Sequence, residues 1–358
     1  MPKHRSALDA IAEAQRIAFA PIVFQAVRAL RNLGVLSALD SAGESGKSIE
    51  AIAEELDLSQ YGVRTLVESG VSAGVVELVD ENLFAISRVG HFLLHDRMTR
   101  VNMDFNHLVC YLGMYKLDEA IAEGRPAGLR AIDEKHSTLY EALPHLPDEI
   151  KASWYAFDHF YSDSAYPAAL EIILERQPAT LVDIGANQGR FSILAAQTDD
   201  SLKLTMIDLP DQLAEAVSFV DQAGFGSRVD AIGMDILRAD ARLPRAQCAY
   251  WLSQVLCCFS EAEIESLLKR LVDAMALDSR LFVLETCWDR QQFEAAAFSL
   301  INTSPYFTCI ANGNSKMYTA NDLLGFIECS GLRCVGTTDG LGTYHTLFEC
   351  TKVPESVA

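Results

Sequence analysis

Three acids and two glycines in the C-terminal half of this 358-residue chain carry its first chemical signal. Residues Leu181, Val182, Asp183 and Ile184 form a short apolar run that enters a turn at Gly185-Ala186-Asn187-Gln188-Gly189, and Arg190-Phe191 opens a helix. Strand, glycine turn and helix in that order begin a doubly wound α/β domain. Gly185 and Gly189 omit side chains where the backbone must bend sharply and where a ligand would lie against it. A second apolar strand, Leu202 to Ile207, ends at Asp208, a position from which a carboxylate accepts hydrogen bonds from both hydroxyls of a ribose. The pair reads as a nucleoside site. A dinucleotide would need G-x-G-x-x-G to approach the pyrophosphate, and Asn187 occupies the second glycine's place, so NAD is the weaker reading.

A second group lies just ahead of that turn. From Trp154 to Asp163, aromatic and titratable side chains alternate densely, with Tyr155, His159 and Tyr161 among them. Aromatic walls suit a planar ligand, and an imidazole titrates near neutral pH. The plainer alternative is that the aromatics are core and His159 bonds a backbone carbonyl.

Composition sets the outer limits. A chain of this length is expected to form about two domains, and 50% hydrophobic with 22% charged residues is ordinary for a globular protein. The formal charge of −20 opposes a phosphate backbone, so nucleic acid is not an expected partner. The nine cysteines show neither CxxC spacing nor a Cys/His metal pattern, and no metal is expected. Met1 to Arg5 leads into no sustained apolar run, so the expectation is a cytoplasmic protein with reduced thiols and no membrane anchor.

The elements that must position these residues follow from periodicity. Ala7 to Val35 has helical apolar spacing, with Ile17, Phe19, Ile22, Val23, Val27 and Leu30 forming a stripe wider than a surface helix needs. Ser48 caps a helix, Ser59 to Ala73 makes another, and two short strands, Val75 to Val79 and Leu83 to Ile86, flank a turn. Three helices and a hairpin make a winged-helix pattern. Its would-be recognition helix, around Tyr61 to Ser69, holds a single arginine, Arg64, and a glutamate, which favours a dimerisation scaffold over a DNA reader. Residues 102–166 are helical with breaks at Gly124-Arg125-Pro126 and at Pro144 to Pro147. Beyond Asp208, helix and strand alternate: a helix from Gln212 to Ala223, strands Val229 to Ile232 and Ala249 to Cys257, a helix Glu261 to Met275, a strand Arg280 to Glu285, and a final helix and hairpin from Thr319 to Cys350. The order predicts a mostly parallel sheet with an antiparallel end.

Asp183-x-Gly185-x-x-x-Gly189, Asp208-Leu209-Pro210 and Gly233-Met234-Asp235-Ile236 together resemble the three S-adenosylmethionine motifs of class I methyltransferases. With the N-terminal half included, the chain resembles the small-molecule O-methyltransferases that carry a winged-helix dimerisation domain. The resemblance implies a Rossmann-like α/β methyltransferase domain over residues 166–358, a mostly α-helical dimerisation domain over 1–110, a linker with substrate-chamber helices over 111–165, and a homodimer. It implies S-adenosylmethionine held by Asp183, Gly185, Asn187 and Gly189, by Asp208 and Leu209 at the ribose, by Asp235 and Ile236 at the adenine, and by Ser253 and Gln254 at the methionine end.

One departure matters. Where the family has a general-base histidine before a Ser-Glu pair, this chain reads Cys257-Cys258-Phe259-Ser260-Glu261. A cysteine near its free pKa is mostly protonated at neutral pH, so Cys257 is a poor substitute. The base has moved to His159, or the acceptor arrives acidic enough to need none, or methyl goes to ring carbon. A redox pair of Cys257 and Cys258 would close a strained ring. A further resemblance, carried by residues 157–163, Glu285 to Gln291 and Tyr306 to Tyr318, is to methyltransferases of aryl polyene and flexirubin-type pigment pathways. On that reading Asn302, Tyr306 and Asn314 contact a ring hydroxyl or its side chain, Cys257 lines the same chamber, and Glu285 supports the reacting group; the alternative is that the asparagines only cap and turn the loop after the fifth strand. The expected activity is methyl transfer to a small phenolic or aromatic metabolite of secondary metabolism. A catalytically silent cofactor-binding regulator and a winged-helix DNA-binding regulator are the alternatives.

Overall fold

The computed structural model describes residues 6–245 and 249–354 and divides into two compact units, residues 1–104 and 105–358. Met1 to Arg5, on which the expectation of no membrane anchor rests, lies outside the described residues.

The first unit is built by helices with sharply marked ends. Ser6 and Asp9 form a capping box at the start of α1 (Ala7–Asn32), and Gly34, at φ +86°, turns the chain into α2 (Val35–Ala42). The hydroxyls of Ser48 and Ser59 accept from Ala51 N and Gly62 N and so cap α3 (Ile49–Leu56) and α4 (Gln60–Ser72). An antiparallel hairpin, β1 (Val76–Asp80) with β2 (Leu83–Ile86), follows. Then come α5 (Arg88–His95) and α6 (Arg97–Phe105). Val27, Leu30, Leu36, Leu39, Ile49, Ile52, Val63 and Val67 fill the core. The helices and hairpin expected from the sequence are present, with the first strand starting one residue later than Val75. The outer face of α1 is apolar and uncovered: Ile11, Ile17, Phe19 and Ile22 are each more than half exposed. By length and composition alone α1 is apolar enough to cross a membrane.

The second unit opens with α7 (Leu117–Glu123), α8 (Leu139–Ala142), α9 (Asp148–Ser162) and α10 (Tyr166–Leu174). It continues as β3 (Thr180–Ile184), α11 (Arg190–Thr198), β4 (Lys203–Asp208), α12 (Pro210–Gln222), β5 (Val229–Gly233), β6 (Ala249–Ser253), α13 (Glu261–Ala274) and β7 (Arg280–Glu285). It ends with α14 (Glu294–Tyr306), α15 (Ala320–Cys329), β8 (Leu332–Leu341) and β9 (His345–Lys352). The seven strands lie in the order β5-β4-β3-β6-β7-β9-β8, parallel from β5 to β7 and antiparallel at β9 and β8.

Strand period explains why both faces are covered. Val182, Ile184, Tyr250, Leu252, Leu281 and Val283 point to one core, shared with α13 and α15. Leu181, Ala249, Trp251, Phe282 and Leu284 point to the other, under α10, α11 and α12. The chain leaves β3 in one direction to build β4 and β5, and crosses to the opposite side to build β6 and β7. The carboxyl ends of β3 and β6 therefore flank the switch point at which an open α/β sheet binds its ligand. The sequence reading ran one strand from Ala249 to Cys257; β6 instead stops at Ser253. Gln254 takes φ +55°, and a tight turn, Leu256–Cys258, follows.

Candidate active site

Everything read as a ligand turn sits at the carboxyl end of β3. Gly185, Asn187 and Gly189 all have positive φ, at +76°, +52° and +71°, and Gly185 N and Ala186 N both donate to Ile207 O of β4. A Cβ on Gly185 would meet Val255 Cγ2 at 2.5 Å, and one on Gly189 would meet Met206 Sδ and Val220 Cγ2, each at 3.1 Å. The two glycines thus let the turn pack against its own domain as well as bend. Asp183 does not face the turn's open side: it is buried and accepts from Ser192 Oγ at 2.7 Å, tying β3 to α11, and burial pushes its carboxyl up to about 7.

The acids at the strand ends differ in what holds them. Asp208 accepts from Asn187 N at 2.8 Å and from Leu209 N at 2.7 Å, so its carboxylate is aimed across the β3 turn. Burial raises it to about 6 against these two bonds. Asp235 accepts from Leu237 N at 2.9 Å and caps the turn after β5, while Ile236 is buried in the core beneath it. Ser253 ends β6, half-buried.

Helix α9 brings a group of side chains to the same edge. Asp158 is the hub: Gln254 Nε2 donates to Oδ1 at 3.0 Å and Asn187 Nδ2 to Oδ2 at 2.9 Å. One arm continues from Gln254 Oε1, which accepts from His345 Nε2 at 2.9 Å. The other runs from Asn187 Oδ1 to Gln212 Nε2 at 3.0 Å, then to the Tyr155 hydroxyl at 2.8 Å, which donates to Glu215 at 3.1 Å. The two non-glycine residues with positive φ at the ends of β3 and β6 are thereby held by one carboxylate. Burial pushes Asp158 above the usual carboxylate range and holds His345 neutral, at about 3.

His159 is buried, stacks on Tyr155 with ring centroids 5.7 Å apart, and donates from Nε2 to Gln188 Oε1 at 2.9 Å. Its Nδ1 has no hydrogen-bond partner among the described residues and lies 3.7 Å from Asp158 Oδ2 and 3.6 Å from Asp163 Oδ1. The imidazole is therefore side chain to side chain with the turn, and the alternative of a backbone carbonyl partner does not describe its Nε2.

An aromatic enclosure lies alongside. Trp154 Nε1 donates to the Tyr306 hydroxyl at 2.7 Å. Phe105 stacks on Phe157 at 3.9 Å and meets Tyr306 edge-on at 5.1 Å, and Tyr161 packs edge-on against Phe157 and stacks on Tyr344. Cys257 is in the same cluster as Tyr306. The adjacent Cys258 thiol, burial and Glu285 push its thiol well up, leaving it neither thiolate nor base. Glu285, at the end of β7, accepts from Leu256 N at 2.7 Å and Cys257 N at 3.3 Å and is raised by burial to about 7. It fixes the Cys257 turn.

Two expected contacts are not brought here. Asn302 is exposed and its amide donates to Phe298 O on its own helix, and the Asn314 side chain is exposed. The asparagine that turns inward is Asn312, whose Nδ2 donates to Cys258 O and whose Oδ1 accepts from Ser315. Position in a helix decides the first case: Asn302 lies on the solvent side of α14. Gln188, Gln212 and Asn312 carry no motif because neutral amides have none, and the Asp158 carboxylate is one of several titratable groups in the aromatic stretch of α9, whose density is its signal in the sequence.

Residues 168–323 match the O-methyltransferase domain and residues 12–84 the Dimerisation2-like domain. The chain is 23% identical over 315 residues to the mitomycin biosynthesis 6-O-methyltransferase of Streptomyces lavendulae, covering 86% of this chain and 85% of that one. It is 20% identical over 272 residues to the L-tyrosine C(3)-methyltransferase of the same organism, covering 75% and 73%. Among solved structures, the O-methyltransferase NcsB1 from neocarzinostatin biosynthesis, in complex with S-adenosylmethionine and 2-hydroxy-5-methyl naphthoic acid, superposes with TM-score 0.69 at 18% identity, over 98% of this chain and 100% of that one. With a dimerisation domain ahead of an O-methyltransferase domain and a sheet whose switch point carries the glycine turn and the acids, the chain is an S-adenosylmethionine-dependent methyltransferase.

Proposed function

We propose that the chain methylates a small phenolic or related aromatic metabolite, at ring carbon or phenol oxygen, and that a 4-hydroxyphenyl group of the aryl polyene type is the acceptor. The observation that carries this reading is the aromatic cluster of Trp154, Phe157, Tyr161 and Tyr306 beside the switch point, mutually packed rings among which the Trp154 indole N–H donates to the Tyr306 hydroxyl. The relatives' names support it, one an L-tyrosine C(3)-methyltransferase and one a 6-O-methyltransferase of mitomycin biosynthesis.

The residues present suit S-adenosylmethionine, which supplies a methyl group on a sulfonium. The turn from Gly185 to Gly189 would hold the methionine part with Ser253 and Gln254, Asp208 and Leu209 the ribose, and Asp235 with Ile236 the adenine. Gln212 Oε1 and His159 Nδ1 are buried without hydrogen-bond partners among the described residues, as groups that await a ligand would be.

His159 is the proton acceptor on this reading. Gln188 fixes the proton on Nε2, which leaves the Nδ1 lone pair as the basic atom, and the carboxylates of Asp158 and Asp163 stabilise the imidazolium formed when a phenol gives up its proton. Glu285 positions the Cys257 turn, and Tyr155, Tyr161, Cys257 and Tyr306 line the acceptor's side. Asn302 and Asn314 have no part in it. The uncovered apolar face of α1, inside the Dimerisation2-like domain, meets a second copy, which makes the protein a homodimer.

The test is incubation with methyl-labelled S-adenosylmethionine and a panel of 4-hydroxyphenyl acids, with products read by NMR. Label on the ring or on the phenol oxygen supports the proposal. Label appearing only on aliphatic or amine acceptors overturns it.

A further inference from the structure

Outside the methyltransferase site, the first unit holds a cluster that the reaction does not use. Helix α5 carries His91 and His95, four residues apart and hence on one face, with ring centroids 4.5 Å apart. Across from them α2 presents Asp40. His91 Nδ1 lies 3.3 Å from Asp40 Oδ1, and His95 Nε2 lies 2.9 Å from Asp40 Oδ2. One ligand atom from each residue falls within 4.8 Å of the other two.

We propose that Asp40, His91 and His95 bind a single divalent transition ion of the zinc class. Two imidazoles and a carboxylate are the donor set that borderline ions take, whereas calcium and magnesium require oxygen ligands throughout. In a tetrahedral site with bonds of about 2.0–2.1 Å, ligand atoms stand roughly 3.3 Å apart, and the three donor atoms here already fall within 4.8 Å of one another. Both rings are about half exposed and the carboxylate about a third, so the fourth position opens to water and an ion can enter.

The supporting backbone is rigid. Val35, Leu36, Ala38 and Leu39 seat α2 in the core. On α5, Gly90 lies so close to the residue ahead of β1 that a Cβ there would stand 2.3 Å from Val75 O, and Leu93 and Leu94 pack on the same core as α2. Ligands placed on two helices docked to one core lose little freedom when the ion binds. The ion would clamp α2 to α5 within the dimerisation unit, leaving the cofactor site untouched.

The experiment uses the untagged full-length protein, stripped with chelator and titrated with zinc chloride by calorimetry, alongside Asp40→Asn and the double variant His91→Gln with His95→Gln. The proposal expects one equivalent at micromolar affinity or better in the natural sequence, and at least about tenfold weaker binding in each variant. Cobalt in place of zinc should give the d–d absorption of a nitrogen and oxygen site without a thiolate charge-transfer band, which separates this site from the cysteines. All three ligands lie at the surface, and circular dichroism melts without metal confirm that the variants fold. No stoichiometric zinc binding, variants that bind as tightly, or a thiolate band on the cobalt form each overturn the proposal.

Discussion

Removing the Asp158 carboxylate should cost far more than neutralising it. The hydrogen-bond chain has a direction, and Asp158 sets it. A carboxylate only accepts, so both Gln254 and Asn187 must turn their NH2 groups toward it and their carbonyl oxygens away, toward His345 and Gln212. Asp158→Ala leaves two half-buried amide donors without their acceptor. At the lower half of the about 1–3 kcal/mol for each orphaned donor, the loss is about 2–4 kcal/mol. Asp158→Asn is different, because one arm can reverse. If Gln254 rotates its amide, its Oε1 accepts from the new Asn NH2 and its Nε2 donates to His345. That histidine is neutral, and its Nδ1 is unpartnered among the described residues, so it can move its proton from Nε2 to Nδ1 without losing a bond. The expected cost is about 1 kcal/mol. Urea denaturation of the three proteins measures the stabilities, and nitrogen-15 shifts of His345 report the tautomer. An Asp158→Ala protein within experimental error of the natural one, or an Asp158→Asn protein as unstable as Asp158→Ala, refutes the reasoning.

Three further outcomes follow from the same geometry. Gly185→Ala combines a left-handed backbone with a Cβ set 2.5 Å from Val255 Cγ2, and about 2–5 kcal/mol of stability should be lost; the Gly185→Ala, Val255→Ala pair should recover the steric part. Glu285 has a folded-state pKa raised from 4.5 to about 7, so the stability linked to its protonated form is full below about 4.5 and is lost as pH rises through about 7. Glu285→Gln keeps an acceptor for Leu256 N without that dependence, and its stability relative to the natural protein should rise by up to about 3 kcal/mol between about pH 5 and pH 8 in urea melts. His159→Gln should lower the methyl-transfer rate by about 10²–10⁴ while S-adenosylhomocysteine still binds; unchanged turnover on a phenolic acceptor removes His159 from the mechanism.

How much could be read ahead of the structure depended on whether a residue's role is local. The turn from Gly185 to Gly189, the acids that close β4 and follow β5, and the serine caps of α3 and α4 are set by neighbours within a few positions, and their types announce them. The end of β6 at Ser253 was hidden, because the apolar run continues to Cys257 and only the left-handed Gln254 breaks it. Asp158, Gln212 and His345 could not be matched in advance: they meet Asn187 and Gln254 across sequence separations of 25 to 96 residues. Asn302 and Asn314 show the reverse case, in which the resemblance to pigment-pathway methyltransferases sets both against the acceptor although one sits on the outer side of a helix and the other in an exposed turn.

Calorimetric titration of the purified protein with S-adenosylhomocysteine and, separately, with NAD tests most directly whether the β3 turn is built for an adenosyl thioether. The account predicts saturable binding of the first, weakened by at least about tenfold in Asp208→Ala, and no heat from the second. Binding of NAD in preference to S-adenosylhomocysteine would contradict it.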